Sequence, residues 1–182
     1  MEFEASRILS AVGAILLAVG SFASALAIVG VILLLVGLRG LADAYGEGAI
    51  FKNALYGLIF EVAAAGAFFF MFFGAILSGL MRGLTFSLIR LLAGLGAALA
   101  AATILSAVGA YFYRKSFSAL SARSGERLFE TSGLLLLIGA VLTIILVGRL
   151  ISLVAWVIAA IAFFSLKPPP PPPPSPLEVQ PL

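Results

Sequence analysis

The stretch YGLIFEVAAAGAFFFMFF, Tyr56–Phe73, decides the fold class of this chain. It carries no charge except Glu61, and the charge-free run after that residue continues to Met81, about 20 residues in all. A helix of about 20 apolar residues crosses the roughly 30 Å hydrocarbon core of a bilayer. The stretch therefore predicts a transmembrane helix, and it raises the question of where Glu61 lies relative to the membrane.

The composition places the whole chain in the same class. Its 182 residues are 63% hydrophobic and only 10% charged, with a mean hydropathy of +1.22. A soluble domain carries roughly 25% charged residues, so lipid must cover much of this surface. Cysteine and histidine are both absent, which removes disulfides, thiolate or imidazole metal sites and the commonest acid–base catalyst. We expect no cofactor and no metal, and the net charge of +3 is too small to indicate nucleic acid.

Five charge-free runs set the number of spans: Ile8–Leu38, Val62–Met81, Leu91–Tyr113, Thr131–Gly148 and Leu150–Leu166. The first run is too long for one span, because as a single helix it would measure roughly 46 Å. Its small and polar middle, Gly20–Ser24, favours a tight turn. We therefore predict an all-α, polytopic transmembrane bundle (residues 1–167) with short first and last hairpins. Its six spans cover about 5–20, 25–42, 53–78, 88–113, 129–147 and 150–166.

The basic residues predict the orientation. With six spans both termini lie on one side, together with Arg7, Arg39, Lys52, Arg114, Lys115, Arg123, Arg127 and Lys167; the other side holds Arg82, Arg90 and Arg149. The richer side is expected in the cytoplasm, which gives a multi-pass protein of the cell membrane with both termini inside. A single helix over Ile8–Leu38 would instead favour an outside N-terminus.

A cleaved signal peptide is the alternative interpretation of the start. Ala25–Ala27 resembles a small-x-small cleavage site after an apolar core. Glu2 and Glu4 make the n-region acidic, and a second apolar helix follows at once, so we expect the segment to stay.

A stripe of small residues marks the fourth span. Gly94, Ala98, Ala102, Ser106 and Ala110 recur at every fourth position and so line one face of a helix. Small side chains let a neighbouring helix approach closely in lipid. The stripe predicts a helix-packing seam, either within the chain or between copies of it.

Two interpretations of Glu61 remain open. If the third helix begins near Phe51, Glu61 lies roughly 15 Å deep, Asn53 shares its face, and Arg90 is the basic residue placed to form an intramembrane polar pair with it. A buried charge of this kind is costly and usually functional. If the helix begins at Val62, Glu61 lies at the cytoplasmic surface and Arg90 at the opposite one.

The segment RKSFSALSARSGERLFE, Arg114–Glu130, predicts contact with anionic lipid. Phe117, Leu120 and Leu128 could lie on the membrane while the basic side chains face the headgroups; these are Arg114, Lys115, Arg123 and Arg127. The ordinary alternative is a cytoplasmic loop that is basic only because of the positive-inside rule.

The tail KPPPPPPPSPLEVQPL begins at Lys167, where the last span ends. Seven consecutive prolines, Pro168–Pro174, exclude helix and sheet and favour an extended polyproline II rod. Residues 168–182 are therefore predicted to form a proline-rich, disordered cytoplasmic tail.

Three segments carry a resemblance to a known family. AIFKNALYG (Ala49–Gly57), GLLLLIGAVLTIILVG (Gly133–Gly148) and AWVIAAIAFFSLK (Ala155–Lys167) resemble small archaeal multi-pass membrane proteins. That family is catalogued as the domain of unknown function numbered nine hundred and ninety-six. The likeness runs from about Ser6 to Lys167. It implies the membrane architecture and an archaeal origin, and it brings no established activity.

Catalysis is not expected, because no span contains an acidic pair and no glycine-rich phosphate loop is present. Two functions follow. The first is a non-enzymatic helical bundle that acts as a structural or accessory subunit, as a homo-oligomer or within a larger membrane complex. The second is a small transporter or channel that uses Glu61 and Arg90 within the membrane, although the shortage of polar residues in the spans disfavours a wet pathway.

Overall fold

The described part of the chain forms six α-helices. The computed structural model describes residues 2–20, 24–81, 88–144 and 147–169. The helices are α1 (Phe3–Gly20), α2 (Ser24–Tyr45), α3 (Gly48–Met81), α4 (Leu88–Ser124), α5 (Leu128–Val141) and α6 (Val147–Ser165), with a 3₁₀ turn at Leu142–Ile144 after α5. Five of them are long and apolar enough to cross a membrane; the 14-residue α5 is shorter. The all-α polytopic fold is thereby confirmed.

Two helices occupy the first long apolar run, as the turn at Gly20–Ser24 predicts. The pair packs backbone against backbone: a Cβ on Gly13 would lie 2.5 Å from the Leu34 nitrogen, and one on Gly30 would lie 2.9 Å from the Gly13 carbonyl oxygen. The small residues of α1 and α2 therefore allow the close contact that holds helices together in lipid.

The fourth helix is longer than predicted. It continues eleven residues past Tyr113 and ends at Ser124, where Gly125 adopts a positive φ of 76° and donates its N–H to the Ser121 carbonyl. Glycine is the residue that most readily takes this helix-ending conformation. Arg114 and Lys115 lower the local hydropathy, but they are good helix formers and do not stop a helix.

The hydrophobic core fills the half of the bundle that contains both chain ends. We call this the termini end, because the Arg7 guanidinium near the start of α1 donates to the Leu166 carbonyl just after α6 (3.1 Å). Here α4 contributes Phe117 and Leu120, which are fully buried. The prediction that these two side chains lie on the membrane surface is therefore wrong: at helical spacing they point into the core.

Two hydroxyl groups join the helices of this half. Ser116 of α4 donates to the Ile50 carbonyl of α3 (2.6 Å), and Ser132 of α5 donates to the Ala155 carbonyl of α6 (2.8 Å). Both hydroxyls are buried. Buried hydroxyl groups are costly unless they form hydrogen bonds, so these contacts favour one register between the helices.

The helices differ strongly in length. The 34 residues of α3 and 37 of α4 measure roughly 51 and 55 Å, whereas the 18 residues of α1 and 19 of α6 measure roughly 27 and 29 Å. The α3–α4 hairpin therefore continues past the other four helices. We call its outer part, Gly66–Met81 and Leu88–Ala102, the projecting hairpin. The predicted proline-rich tail lies outside the described residues from 170 onward.

Candidate functional site: a polar cavity beside Glu61

Glu61 lies inside the bundle, against α4. It is the fourteenth residue of α3, roughly 20 Å from the Gly48 end. The Ser106 hydroxyl lies within hydrogen-bonding distance of both carboxylate oxygens, 2.9 Å from Oε1 and 3.1 Å from Oε2. Of the two interpretations of Glu61, the structure supports the one in which its side chain packs between helices.

Two glycines explain why the carboxylate can reach α4. A Cβ on Gly57 would lie 3.1 Å from the Gly109 carbonyl oxygen, and a Cβ on Gly109 would lie 3.0 Å from the Gly57 carbonyl oxygen and 3.3 Å from Oε1 of Glu61. Either methyl group would push the helices apart. The close approach at this pair is what places Glu61 next to Ser106, one turn away on α4.

A cavity of about 440 Å³ opens beside Glu61, on the side of the core away from the termini end. Every helix contributes to its wall. Most of the lining is aliphatic; the polar and aromatic members are Glu61, Ser106, Tyr113, Thr143, Arg149, Ser152 and Trp156. Mostly apolar pockets with a few converging polar groups are the usual form of a small-molecule site.

Two aromatic rings form one side of the cavity. Tyr113 and Trp156 meet edge to face with their centroids 5.8 Å apart. Phe117 meets the indole edge to face as well, with its centroid 6.1 Å from that of Trp156, and joins the cavity wall to the core. Rings held in this way offer a fixed π-surface to a ligand.

The last helix brings a positive charge to the same cavity. Arg149, Ser152 and Trp156 are spaced i, i+3 and i+7, which places them on one face of α6. Arg149 is exposed, whereas Ser152 and Trp156 are half-buried. Within the described part of the chain, neither Arg149 nor Glu61 forms an ion pair; the pairs found there are Glu4–Arg7 and Glu47–Arg123.

Arg90, the predicted partner of Glu61, belongs to the first turn of α4. Arg90 stands sixteen residues before Ser106 on α4, roughly 24 Å along the helix axis from the residue that contacts Glu61. Its side chain lies outside the described residues, so the predicted pair of Glu61 and Arg90 stays a prediction. Asn53 shares the α3 face of Glu61 and is half-buried, but it lies five residues before Leu58, where the α3 lining of the cavity begins.

The predicted small-residue seam faces α3. Ala98 and Ala110 are buried, a Cβ on Gly94 would lie 3.3 Å from the Cβ of Ala75, and Ser106 contacts Glu61. Ala102 is half-buried on the same stripe. The stripe thus forms an intramolecular seam, with the polar contact of Ser106 one turn before its last residue, Ala110.

The basic residues proposed for lipid contact are all exposed, along the last turns of α4 and just before α5; they are Arg114, Lys115, Arg123 and Arg127. Arg123 donates to Oε2 of Glu47 from both Nε (3.1 Å) and Nη2 (2.8 Å). The Lys115 ammonium lies 5.1 Å from the centre of the Tyr111 ring. Contact of this group with anionic lipid remains a prediction.

The sequence pattern did not predict the cavity. It assigned Arg149 only to the side opposite the termini, and it did not single out Trp156. The i, i+3, i+7 spacing of Arg149, Ser152 and Trp156 was the available signal. What the spacing could not supply is the position of α6 relative to α3, which makes this face part of the cavity that Glu61 also lines.

Comparison with known proteins identifies the family. A family model described as Protein of unknown function (DUF996) matches residues 26–157. The chain is similar to Uncharacterized protein MJ1644 of Methanocaldococcus jannaschii: the two are 30% identical over 167 residues, which cover 91% of this chain and 94% of the relative. No solved structure matches the chain. The chain belongs to the DUF996 family of proteins of unknown function.

Proposed function

We propose that this protein is a non-enzymatic structural subunit of the cell membrane, with both termini in the cytoplasm, and that it assembles with further copies of itself through the projecting hairpin. One observation carries the proposal: the apolar surface of this hairpin extends far past the other four helices. The hydrocarbon core of one bilayer is too thin to cover an apolar surface of this length.

The lengths of the helices support this step. From Arg149 to Lys167 the chain rises roughly 27 Å, close to the thickness of a hydrocarbon core. If these two charges mark the membrane edges, the last sixteen residues of α3, Gly66–Met81, continue roughly 24 Å further without a charge. At fractions of a kcal/mol per ångström, such a mismatch costs on the order of 10 kcal/mol.

One face of α3 has the pattern of a helix-pairing surface. The residues that form it follow spacings of four, three, four and three; they are Ala63, Ala67, Phe70, Gly74 and Leu77, and we call them the α3 stripe. This is the 3.5-residue repeat of a left-handed helix pair. Phe70 is 78% and Leu77 61% exposed. Phe70 lies between Ala67 and Gly74, whose small size leaves room for a facing ring.

A second copy of the chain is the occupant that fits this surface. The stripe carries no charge and offers no hydrogen-bonding side chain, so its partner must be equally apolar. A copy in the same orientation presents an identical stripe at the same height, beyond the reach of an ordinary span. A groove of about 390 Å³ on this helix is lined by residues that include Phe69, Phe73 and Gly74. The facing helix of the second copy would then fill this groove.

The mass of the native assembly tests the proposal. A tagged full-length chain is extracted in mild detergent, and its mass and composition are determined for the wild type, Phe70→Ala and Phe164→Ala. Phe164 is 50% exposed on α6, outside the stripe, and is the matched control. We expect a homo-oligomer for the wild type and the control, and a shift to monomer for Phe70→Ala. A wild-type monomer, or a complex held by a different protein, would contradict the proposal.

A small transporter is the second candidate, and the cavity beside Glu61 favours it. Alternating access would open this carboxylate to both sides of the membrane in turn. Because the chain has no cysteine, Glu61→Cys can be labelled with a membrane-impermeant maleimide added to either side. A transporter predicts labelling from both sides, while labelling from one side or none would exclude this function for the site.

A further inference from the structure

We propose that the cavity beside Glu61 binds a zwitterionic amphiphile. Its ammonium group lies against Glu61 and the Tyr113–Trp156 ring pair, its anionic group against Arg149, and its apolar part along the aliphatic wall. The inference requires binding only, so it is independent of both self-assembly and transport.

The cationic end of the ligand follows from the surroundings of Glu61. A carboxylate within a lipid-covered bundle is costly unless a positive group compensates it. Ser106 is the only hydrogen-bond donor to Glu61 among the residues that the structure describes, and a hydroxyl supplies no charge. The Tyr113 and Trp156 rings line the same cavity, and aromatic faces attract ammonium groups. A ligand ammonium therefore satisfies the carboxylate and the rings together.

The anionic end follows from Arg149. Arg149 belongs to the cavity lining, and within the described residues no carboxylate pairs with its guanidinium. Guanidinium groups bind carboxylate and phosphate groups through paired hydrogen bonds. A purely cationic ligand would be repelled by Arg149 and a purely anionic one by Glu61, so a molecule with both charges fits best.

The apolar part follows from the opening of the cavity. Ile28 of α2 and Val62 of α3 belong to the lining and are 63% and 62% exposed on the surface that lipid covers. A ligand can therefore place an apolar chain between these helices while its charged groups remain inside. Two sources share this chemistry: a membrane lipid with an ammonium headgroup, and a free amphipathic zwitterion.

The single tryptophan of the chain provides the measurement. Trp156 lines the cavity, so its fluorescence reports on the site without a label. The purified full-length protein in a non-ionic detergent is titrated with a short-chain phosphatidylethanolamine, with the phosphatidylglycerol of the same chains, and with free phosphoethanolamine. We expect a saturable change with phosphatidylethanolamine and at least about tenfold weaker binding of phosphatidylglycerol, because the latter lacks the ammonium group.

Two variants assign the subsites. Glu61→Gln keeps the size of the side chain, and Arg149→Gln changes an exposed residue that forms no ion pair among the described residues. Each should weaken phosphatidylethanolamine binding at least about tenfold. Glu130→Gln and Arg39→Gln, exposed charges away from the cavity, are the matched controls and should bind as the wild type does. The melting temperature of each variant shows that it is folded.

The outcomes separate the sources and decide the inference. Binding of phosphatidylethanolamine alone, lost in both variants, supports a lipid ligand; binding of free phosphoethanolamine with the same dependence on the variants supports a free zwitterion. Absence of saturable binding of either, equal binding of phosphatidylglycerol, or wild-type affinity in Arg149→Gln would overturn the inference. The Arg149 variant keeps the test valid if Glu61→Gln does not fold.

Discussion

At the scale of single residues, the contact between Gly57 and Gly109 controls how α3 and α4 meet. Gly109→Ala should lower the free energy of unfolding by about 1–3 kcal/mol, because its methyl group would lie 3.0 Å from the Gly57 carbonyl and must displace backbone. Gly96→Ala on the same helix is the control. No atom lies within 4 Å of its Cβ position, so the higher helix propensity of alanine should stabilise it by up to about 1 kcal/mol. Unfolding in mixed micelles measures both, and equal effects would contradict the account.

The hydroxyl of Ser106 is the second test at this scale. Ser106→Ala removes the donor to the Glu61 carboxylate and should lower the free energy of unfolding by about 1–3 kcal/mol. Ser165→Ala is the control, because the Ser165 hydroxyl is exposed and bonds only to the Ile161 carbonyl of its own helix; its effect should stay within about 0.5 kcal/mol. If the two variants unfold alike, the Ser106–Glu61 contact does not stabilise the bundle.

These residues show how far the sequence could be interpreted. The seam pattern singled out Ser106 and the isolated charge singled out Glu61, each for its own reason. Their contact depends on the register between α3 and α4, which no spacing within one helix encodes. For the same reason the sequence did not predict that Arg149 and Glu61 line one cavity.

At the scale of elements, the connection between α2 and α3 is tied to the end of α4. Gly46 adopts a φ of 64°, and the Glu47 N–H bonds back to the Ala42 carbonyl, which closes α2. The turn directs the Glu47 side chain toward Arg123, which donates two hydrogen bonds to one of its oxygens. This contact joins the α2–α3 connection to the end of α4, 76 residues away in the chain.

The pair predicts a pH dependence. The hydrogen bonds from Arg123 hold the pKa of Glu47 below its ordinary value of 4.5. The folded state therefore prefers the ionised form, and the stabilisation is complete above the unfolded pKa and is lost as the pH falls through the folded one. The stability difference between the wild type and Arg123→Gln should disappear on acidification from neutral pH to below that pKa. A difference that stays constant over this range would contradict the assignment.

The helices themselves were largely predictable. Charge-free runs and the small residues at Gly20–Ser24 gave the six helices and the first hairpin. The end of α4 was predicted too early, because the basic residues after Tyr113 give the segment the low hydropathy of a loop. The helix in fact continues until Gly125 ends it. The i, i+3 spacing of the apolar residues Phe117 and Leu120 is the signal that would have indicated a continuing helix.

At the scale of the whole molecule, the termini end and the opposite end should lie on different sides of the membrane. Single cysteines can test this, because the chain has none. Glu130→Cys, at the start of α5, should react with an impermeant maleimide only from the cytoplasmic side. Val147→Cys, at the start of α6, should react only from outside. Both positions are exposed, and labelling of both from the same side would contradict the topology.

The charge-free runs did not predict the full length of α3 and α4. Val62–Met81 alone fits one membrane span, and so does Leu91–Tyr113. The structure shows that both continue a helix whose lower part already packs in the core. Together, the charge-free runs and the core-packed parts of α3 and α4 make helices longer than one span. The apolar surface of the resulting projecting hairpin is what supports self-assembly.

Cross-linking within native membranes tests self-assembly through the projecting hairpin. Phe70→Cys places one thiol in the middle of the α3 stripe, and Phe164→Cys places one on an exposed face of α6. Under mild oxidation the account predicts a disulfide-linked dimer of the chain for Phe70→Cys and almost none for Phe164→Cys. Monomer at both positions, equal cross-linking at both, or a Phe70→Cys adduct with a different protein would contradict self-assembly through the projecting hairpin.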